Sequence, residues 1–131
     1  MRAAARGMAK LGVAAEVVLT SPLIRCRQTA EVVCAELGGV PREDPRLAPG
    51  MGLDELAGAL SEHPGAASVL VCGHQPDLSE AVAALTGGGM AEFRKGSLAL
   101  LEVEAVAPGG GRLRALYPPS ALRTLARTRS E

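Results

Sequence analysis

Residues 17–38 read VVLTSPLIRCRQTAEVVCAELG, and this stretch contains a complete strand-to-helix junction. Its first three residues are apolar and mostly β-branched, which is typical of a strand buried on both faces. Ser21 and Pro22 follow, and these residue types favour the cap and the first position of a helix. Gly38 is suited to end that helix. The stretch therefore predicts a buried strand, a polar loop and a helix.

A second junction of the same kind lies further along the chain. Residues 69–72, Val-Leu-Val-Cys, form another short apolar run, and residues 73–76, Gly-His-Gln-Pro, form the loop after it. Asp77 with Glu80 three residues later matches a capping box, which predicts that Asp77 is the N-cap of a helix. The chain thus repeats the order of strand, polar loop and helix.

The remaining segments complete an alternation of strands and helices. Periodicity and turn residues predict helices over residues 2–12 and 53–60, a loop over 39–50, a hairpin from 98–103 and 113–116, and a last helical turn over 121–127. Such alternation implies a mostly parallel sheet with helices on both faces, a three-layer α/β/α architecture. We expect residues 1–131 to form a single domain, because no linker divides them.

Composition excludes several classes of function. The chain has 131 residues, of which 47% are hydrophobic, and no apolar run approaches the ~18 residues that cross a bilayer. The sequence carries no charged-then-apolar leader, so we expect a cytoplasmic protein that does not bind membranes. Its net charge is zero and only 2% of its residues are aromatic, which argues against nucleic-acid binding.

Metal and disulfide chemistry also lack support in the sequence. The three cysteines, Cys26, Cys34 and Cys72, form no C-x-x-C pair, and the only histidines are His63 and His74. A disulfide framework or a zinc site would need more ligands at closer spacing. We therefore expect no metal and no cofactor, and we interpret Cys26 and Cys34 as helix packing residues.

The two strand-to-helix junctions carry the candidate chemistry. Ligands of α/β folds bind beyond the carboxyl ends of the strands, where Ser21, Arg25 and His74 are expected. A guanidinium in the first turn of a helix can hold a phosphate, and an imidazole can donate to a phosphoryl oxygen or move a proton. Surface pairing of Arg25 with an acidic residue, and a histidine satisfied by loop carbonyls, remain alternatives at this point.

The two junctions resemble motifs of a known family. Residues 20–31, TSPLIRCRQTAE, and residues 71–79, VCGHQPDLS, are similar to two motifs of the histidine phosphatase superfamily, also called phosphoglycerate mutase-like. The form His-x-Pro-x-Leu and the closing Pro-Pro-Ser-Ala-Leu-Arg look most like SixA-type phosphohistidine phosphatases. The resemblance implies the phosphoglycerate mutase-like fold over essentially the whole chain.

The resemblance also implies a reaction. In this family a histidine of an Arg-His-Gly motif attacks the phosphoryl group, becomes phosphorylated, and is freed by water without a metal. By motif match Arg25 and His74 are the second arginine and the second histidine of the catalytic site, where they bind phosphate, and Ser21 donates a hydrogen bond at its edge. The implied partner is a phosphohistidine-containing protein or a small phosphate ester.

The family's nucleophile has no counterpart in this sequence. The chain contains no Arg-His-Gly, so we expect an N-terminally incomplete domain that lacks the first strand and its catalytic loop. Removing a central strand would leave unpaired sheet edges, which self-association would cover. Two hypotheses stay open: a phosphohistidine phosphatase whose nucleophile is absent from this chain, and a non-catalytic phosphate- or phosphoprotein-binding module on the same fold.

Overall fold

The computed structural model describes residues 1–88 and 93–127 and has the alternating architecture expected from the sequence. Five strands are present in these residues: β1 (Val17–Thr20), β2 (Arg42–Glu43), β3 (Val69–Cys72), β4 (Leu98–Val103) and β5 (Gly111–Tyr117). The α-helices are α1 (Arg2–Lys10), α2 (Ile24–Leu37), α3 (Leu53–Ser61), α4 (Asp77–Leu85) and α5 (Pro119–Arg127), and a short 3-10 helix spans Pro45–Leu47.

The first three strands form a parallel sheet in the order β2-β1-β3. β1 pairs with β3 over its whole length, from Val17 opposite Val69 to Thr20 opposite Cys72. Residues 18–20 are buried, because helices cover both faces of this central strand. The mostly parallel sheet predicted from the apolar runs is therefore present.

A second, two-stranded sheet consists of β4 and β5. The strands pair antiparallel from Leu98 opposite Tyr117 to Val103 opposite Gly111, with an irregularity in register between Leu100 and Leu101. This hairpin was expected from the two segments 98–103 and 113–116 and the glycine triplet between them. Among residues 1–88 and 93–127, β3 and β4 do not pair with each other, so the sheet is in two parts.

Two apolar layers cover the faces of the sheet. One layer is formed by α3, α4 and residues 47–51 before α3, which pack against β1. Its buried residues are Leu19, Leu47, Met51, Leu56, Ala59, Ala81 and Leu85. The other joins α1, α2, α5 and the start of β4, and its buried residues are Ala4, Ala5, Met8, Val33, Leu98 and Leu122. The helices therefore form the outer layers of the α/β/α architecture.

Three local predictions need correction. The segment 39–50 was expected to be a loop, but it contains β2 and the 3-10 helix. β2 has two residues, both exposed, so its pairing with β1 leaves no apolar pattern in the sequence. Ser21 does not cap α2, which begins after Leu23. Asp77 is the first residue of α4 rather than its cap, and its carboxylate accepts a hydrogen bond from the backbone of Gly50 at 2.8 Å.

No helix in the described part of the chain combines the length and apolarity needed to span a membrane.

Candidate active site

The register between β1 and β3 brings the two polar junctions together. Thr20 lies opposite Cys72, and the next residue, Ser21, donates its backbone N–H to the carbonyl of Cys72 at 3.0 Å. The loops that follow both strands consequently leave the sheet at the same edge. Ser21 and His74, predicted as site residues from separate motifs, meet at this edge.

Ser21 and His74 are in direct contact. Oγ of the fully buried Ser21 lies 2.8 Å from Nε2 of the half-buried His74, and it also accepts the backbone N–H of Leu23 at 3.2 Å. A hydroxyl has one proton and two lone pairs, so it can accept from Leu23 and still donate to the imidazole or accept from it. Ser21 therefore fixes the orientation of the His74 ring at the end of β3.

Arg25 lines the same cavity as His74, in the first turn of α2. Its side chain is exposed, and among the residues that the structure describes it has no ion-pair partner. Arg27, two positions later, does have one: its Nε lies 3.0 Å from a carboxylate oxygen of Glu43. Pairing with an acidic residue, the alternative considered for Arg25, thus applies to Arg27 instead.

Cys26 lies at the site, although the sequence predicted only a packing role for it. Its thiol donates to the carbonyl of Gly73 at 3.3 Å and lies 3.5 Å from Nε2 of His74. Burial raises the pKa of the Cys26 thiol, against smaller opposing effects of the Ser21 hydroxyl and the Lys95 charge. The thiol form is therefore favoured. The sequence feature that could have placed Cys26 at the site is its position next to Arg25 in the first turn of α2.

The other two cysteines lie in the core beneath the site. Cys34 is buried with Val18 and Ala30, and Cys72 is packed against this cluster. Burial raises the pKa of Cys72 to about 12, with a further contribution from the two neighbouring cysteines. The packing role predicted for Cys34 is thus confirmed.

The loop after β3 is held by its own polar groups. The carbonyl of His74 accepts the N–H of Leu78 at 2.9 Å, and the Gln75 side chain accepts the Ser79 hydroxyl at 2.6 Å. The Gln75–Pro76 peptide bond is cis. Gly73 has no positive φ; a side chain there would instead approach Leu78 at 3.3 Å. These contacts fix the backbone that carries His74.

Further cations line the cavity around the site, namely Arg94, Lys95 and Arg123. The charge of Lys95 acts on the Cys26 thiol, so Lys95 lies at the same end as Arg25, and these two cations favour an anionic ligand. Within residues 1–88 and 93–127, no group of three or more His, Cys, Asp or Glu side chains is arranged to hold a metal ion. Arg25 and His74 can supply hydrogen bonds to such an anionic ligand, and Arg25 can also supply positive charge.

Sequence comparison relates the first part of the chain to a family. Residues 1–49, which include Ser21 and Arg25, match the histidine phosphatase superfamily (branch 1). An uncharacterised protein of Picosynechococcus sp. (strain ATCC 27264 / PCC 7002 / PR-6) is 41% identical over 87 residues, which cover 64% of this chain and 53% of that protein. The chain thus spans about half the length of the curated relative that it matches.

Structural comparison extends the likeness to nearly the whole chain. The protein histidine phosphatase SixA complexed with tungstate is 28% identical, with a TM-score of 0.80 over 92% of this chain and 80% of that one. A SixA-type protein from Nakamurella multipartitia is 25% identical, with a TM-score of 0.68 over 90% and 80% of the two chains. One from Agrobacterium tumefaciens, 19% identical with a TM-score of 0.72 over 90% and 77%, shares the fold.

The family match includes the first junction, and the structural match covers 92% of the chain. The first 49 residues of this chain thus match the histidine phosphatase superfamily, and its fold is similar to that of the protein histidine phosphatase SixA.

Proposed function

We propose that this chain provides the phosphoryl-binding part of a phosphohistidine phosphatase site. Arg25 binds two phosphoryl oxygens with its guanidinium, and the His74 imidazole donates to a third. Ser21 holds the His74 ring and lies at the edge of the bound phosphoryl group. The substrate class is a protein phosphorylated on histidine, which fits the similarity to a protein histidine phosphatase.

The proposed reaction needs one further group. A histidine nitrogen forms a bond to phosphorus while the bond from phosphorus to the substrate imidazole breaks, and the leaving imidazole takes up a proton. Water then attacks phosphorus, releases inorganic phosphate and frees the first histidine. The sequence contains no Arg-His-Gly to supply that nucleophile, and we assign it to neither His63 nor His74. The role of this chain's residues is to offset charge on the phosphoryl oxygens.

The observation that carries this proposal is that a cation without an ion-pair partner among the described residues lines the same cavity as an oriented imidazole. Arg25 has no ion-pair partner among the described residues and shares a cavity with His74, whose ring contacts Ser21 at 2.8 Å. Charge-assisted hydrogen bonds from such groups are the strong contacts of phosphate sites. Arg27, by contrast, is paired with Glu43.

The second candidate function is a phosphate- or phosphoprotein-binding module. The absence of Arg-His-Gly from the sequence favours it, because Arg25 and His74 could bind a phosphorylated ligand without hydrolysing it. A small phosphate ester as substrate of the same site is the third alternative. Comparing a phosphohistidine peptide with small esters distinguishes these substrates.

Titration of the 131-residue chain with tungstate or inorganic phosphate, followed by calorimetry, tests the proposed site. Arg25→Ala and His74→Ala should each weaken binding at least about tenfold, the effect of losing a hydrogen bond to a charged group. Arg27→Ala is the matched control and should bind as the unchanged chain does. Equal affinity in all three variants would contradict the site assignment.

Phosphate release from a phosphohistidine peptide tests the reaction. The 131-residue chain alone should bind the peptide and release no phosphate. A longer form of the protein whose sequence includes the Arg-His-Gly motif should release phosphate. Binding without release by both forms would favour the binding module. Turnover by the chain alone would show that one of its own residues is the nucleophile, and the assignment of His74 to binding would then be wrong.

A further inference from the structure

Two large apolar side chains are exposed at the start of α2. Leu23 precedes the helix and is 47% exposed, and Ile24, its first residue, is 67% exposed. Of the large apolar residues that are exposed in the described part of the chain, only these two are neighbours in sequence. Single exposed apolar side chains are common, whereas grouped ones can form part of an interaction surface. We call Leu23 and Ile24 the apolar pair.

The apolar pair lies beside the proposed phosphoryl site. The backbone N–H of Leu23 donates to Oγ of Ser21 at 3.2 Å, and the same oxygen lies 2.8 Å from Nε2 of His74. Arg25 directly follows Ile24, in the first turn of α2. Both residues of the pair line the cavity that Arg25 and His74 also line. A protein whose phosphoryl group reaches this site therefore brings its neighbouring surface close to the pair.

Neither helix formation nor core packing explains apolar side chains at these two positions. Leu23 is the N-cap of α2 and makes no side-chain hydrogen bond to the helix, although residues that make one are preferred there. Ile24 is β-branched, which lowers its preference for a helix. The 3-10 helix after β2 has the usual arrangement, in which its N-cap Asp44 accepts the N–H of Arg46. Residue types that oppose the local structure and remain exposed point to a role in binding.

We propose that the apolar pair is a docking contact for the phosphorylated protein and binds apolar side chains that flank the phosphohistidine. This inference rests on the proposed function and specifies its substrate further. Arg25 and His74 hold the anionic phosphoryl group, and the adjacent pair removes the apolar neighbours of that group from water. Free phosphate or a small ester contacts the guanidinium and the imidazole but leaves the pair exposed. The pair therefore favours protein substrates with apolar residues around the phosphorylated histidine.

Calorimetric titration of the 131-residue chain with two peptides tests this proposal. Both peptides carry at their centre phosphoryltriazolylalanine (X), an analogue of phosphohistidine that resists hydrolysis. The Leu peptide is acetyl-Ser-Leu-Leu-X-Leu-Leu-Ser-amide, and the Ser peptide has Ser in place of each Leu. The chain should bind the Leu peptide at least about tenfold more tightly, because burial of its apolar side chains against the pair adds to binding of the phosphoryl group. Inorganic phosphate is titrated in parallel.

Substitutions in the pair separate docking from phosphoryl binding. Leu23→Ser and Ile24→Ser should each weaken binding of the Leu peptide about fivefold or more and change the affinities for the Ser peptide and phosphate less than about twofold. Leu23→Ser should also keep or raise the melting temperature, because Ser is a favoured N-cap, so misfolding does not account for its weaker binding.

Val40→Ser is the matched control for both substitutions. Val40 is 80% exposed and follows the other end of α2, which is about 20 Å long. This variant should bind both peptides and phosphate as the unchanged chain does.

Four outcomes would overturn the proposal. Equal affinity for the Leu and Ser peptides would show that the pair takes no part in docking, and an equal loss in Val40→Ser would show unspecific apolar adsorption. Loss of phosphate binding in Ile24→Ser would show that this side chain supports the site rather than the substrate. Self-association of the chain that Leu23→Ser abolishes would show that a second copy covers the pair.

Failure of the proposed function gives a different result. If neither the peptides nor phosphate bind, the phosphoryl site is wrong and the docking contact is rejected with it. If phosphate binding depends on Arg25 and His74 but the Leu peptide has no advantage, the phosphoryl site stands and only the docking contact is rejected.

Discussion

Oγ of Ser21 lies 2.8 Å from Nε2 of His74, although 53 positions separate the two residues in the chain. The contact exists because β1 and β3 pair in parallel, with Thr20 opposite Cys72, and end at the same edge. The Ser21 hydroxyl also accepts the N–H of Leu23 at the start of α2. One buried hydroxyl thus links the end of β1, the start of α2 and the imidazole.

Replacing this hydroxyl should affect both stability and ligand binding. Ser21→Ala removes the contacts with His74 and Leu23, so we expect the free energy of unfolding to fall by about 1 kcal/mol. The loss of ring orientation should weaken tungstate or phosphate binding about three- to tenfold. Urea unfolding and calorimetric titration measure the two effects.

Ser61→Ala is the matched control for this substitution. Its hydroxyl donates to the carbonyl of Gly58 on the exposed side of α3 and lies outside the site. We expect this variant to bind phosphate as the unchanged chain does. If Ser21→Ala also binds phosphate normally, Ser21 does not position His74.

The raised pKa of Cys72 predicts a loss of stability at alkaline pH. Its pKa is about 12 in the folded chain, against 9.0 for an ordinary thiol. The folded state therefore holds the thiol proton more tightly than the unfolded state does. This stabilisation is complete below about pH 9 and is lost as the pH rises toward 12, by at most about 4 kcal/mol.

Urea unfolding between pH 8 and pH 11, compared with a Cys72→Ala variant, measures this dependence. The unchanged chain should lose stability more steeply than the variant over this range. Cys34→Ala is the control, because its pKa is also raised by burial but less strongly. Parallel stability curves for the unchanged chain and Cys72→Ala would contradict the prediction.

The close approach of α1 and α5 predicts a specific requirement for glycine. A Cβ at Gly7 would collide with the backbone carbonyl of Leu122, which is fully buried between the two helices. Gly7→Ala must therefore separate α1 from α5, and we expect it to destabilise the fold by about 2 kcal/mol or more. Thermal unfolding followed by circular dichroism measures the loss.

Gly65→Ala is the comparison variant for Gly7→Ala. Gly65 has open space around the position of a Cβ and no positive φ, so this change should leave the melting temperature nearly unchanged. Equal melting temperatures for the two variants would show that α1 and α5 tolerate a wider separation.

A buried carboxylate after β2 predicts sensitivity to acid. Asp44 is buried and accepts hydrogen bonds from the backbone N–H of Arg46 at 2.9 Å and from its guanidinium at 2.9 and 2.7 Å. The side-chain hydrogen bond from Arg46, with its charge, lowers the pKa of Asp44. This stabilisation is present above the ordinary pKa of an aspartate and is lost as the pH falls through the lowered value.

Asp44→Ala should remove this effect and destabilise the chain by about 2 kcal/mol at pH 7, through the loss of hydrogen bonds to a charged group. The control is Glu102→Ala, which breaks an exposed pair with Arg114 and should have little effect. Guanidinium unfolding at pH 7, and at pH values that fall from about 4 toward 2, measures both variants. The prediction would be contradicted if Asp44→Ala lowered the free energy of unfolding no more than Glu102→Ala does.

The sequence by itself determined most of the secondary structure and the motifs at the site. Apolar runs at 17–19 and 69–72 predicted two buried strands that are observed at nearly the same residues, because burial on both faces requires apolar side chains. The glycines and helical periodicity likewise located the five helices to within a few residues. The polar residues after the two strands identified Arg25 and His74 as candidates.

Only the tertiary structure decided which side chains meet and where the sheet is interrupted. The contacts of His74 with Ser21 and Cys26 depend on strand register, which relates residues about fifty positions apart and leaves no local pattern. The pairing of the short strand β2 and the break in the sheet between β3 and β4 are equally nonlocal, since strand pairing is made by backbone groups that every residue carries. Residue type therefore determined the local structure, and the pairing of distant strands determined the site.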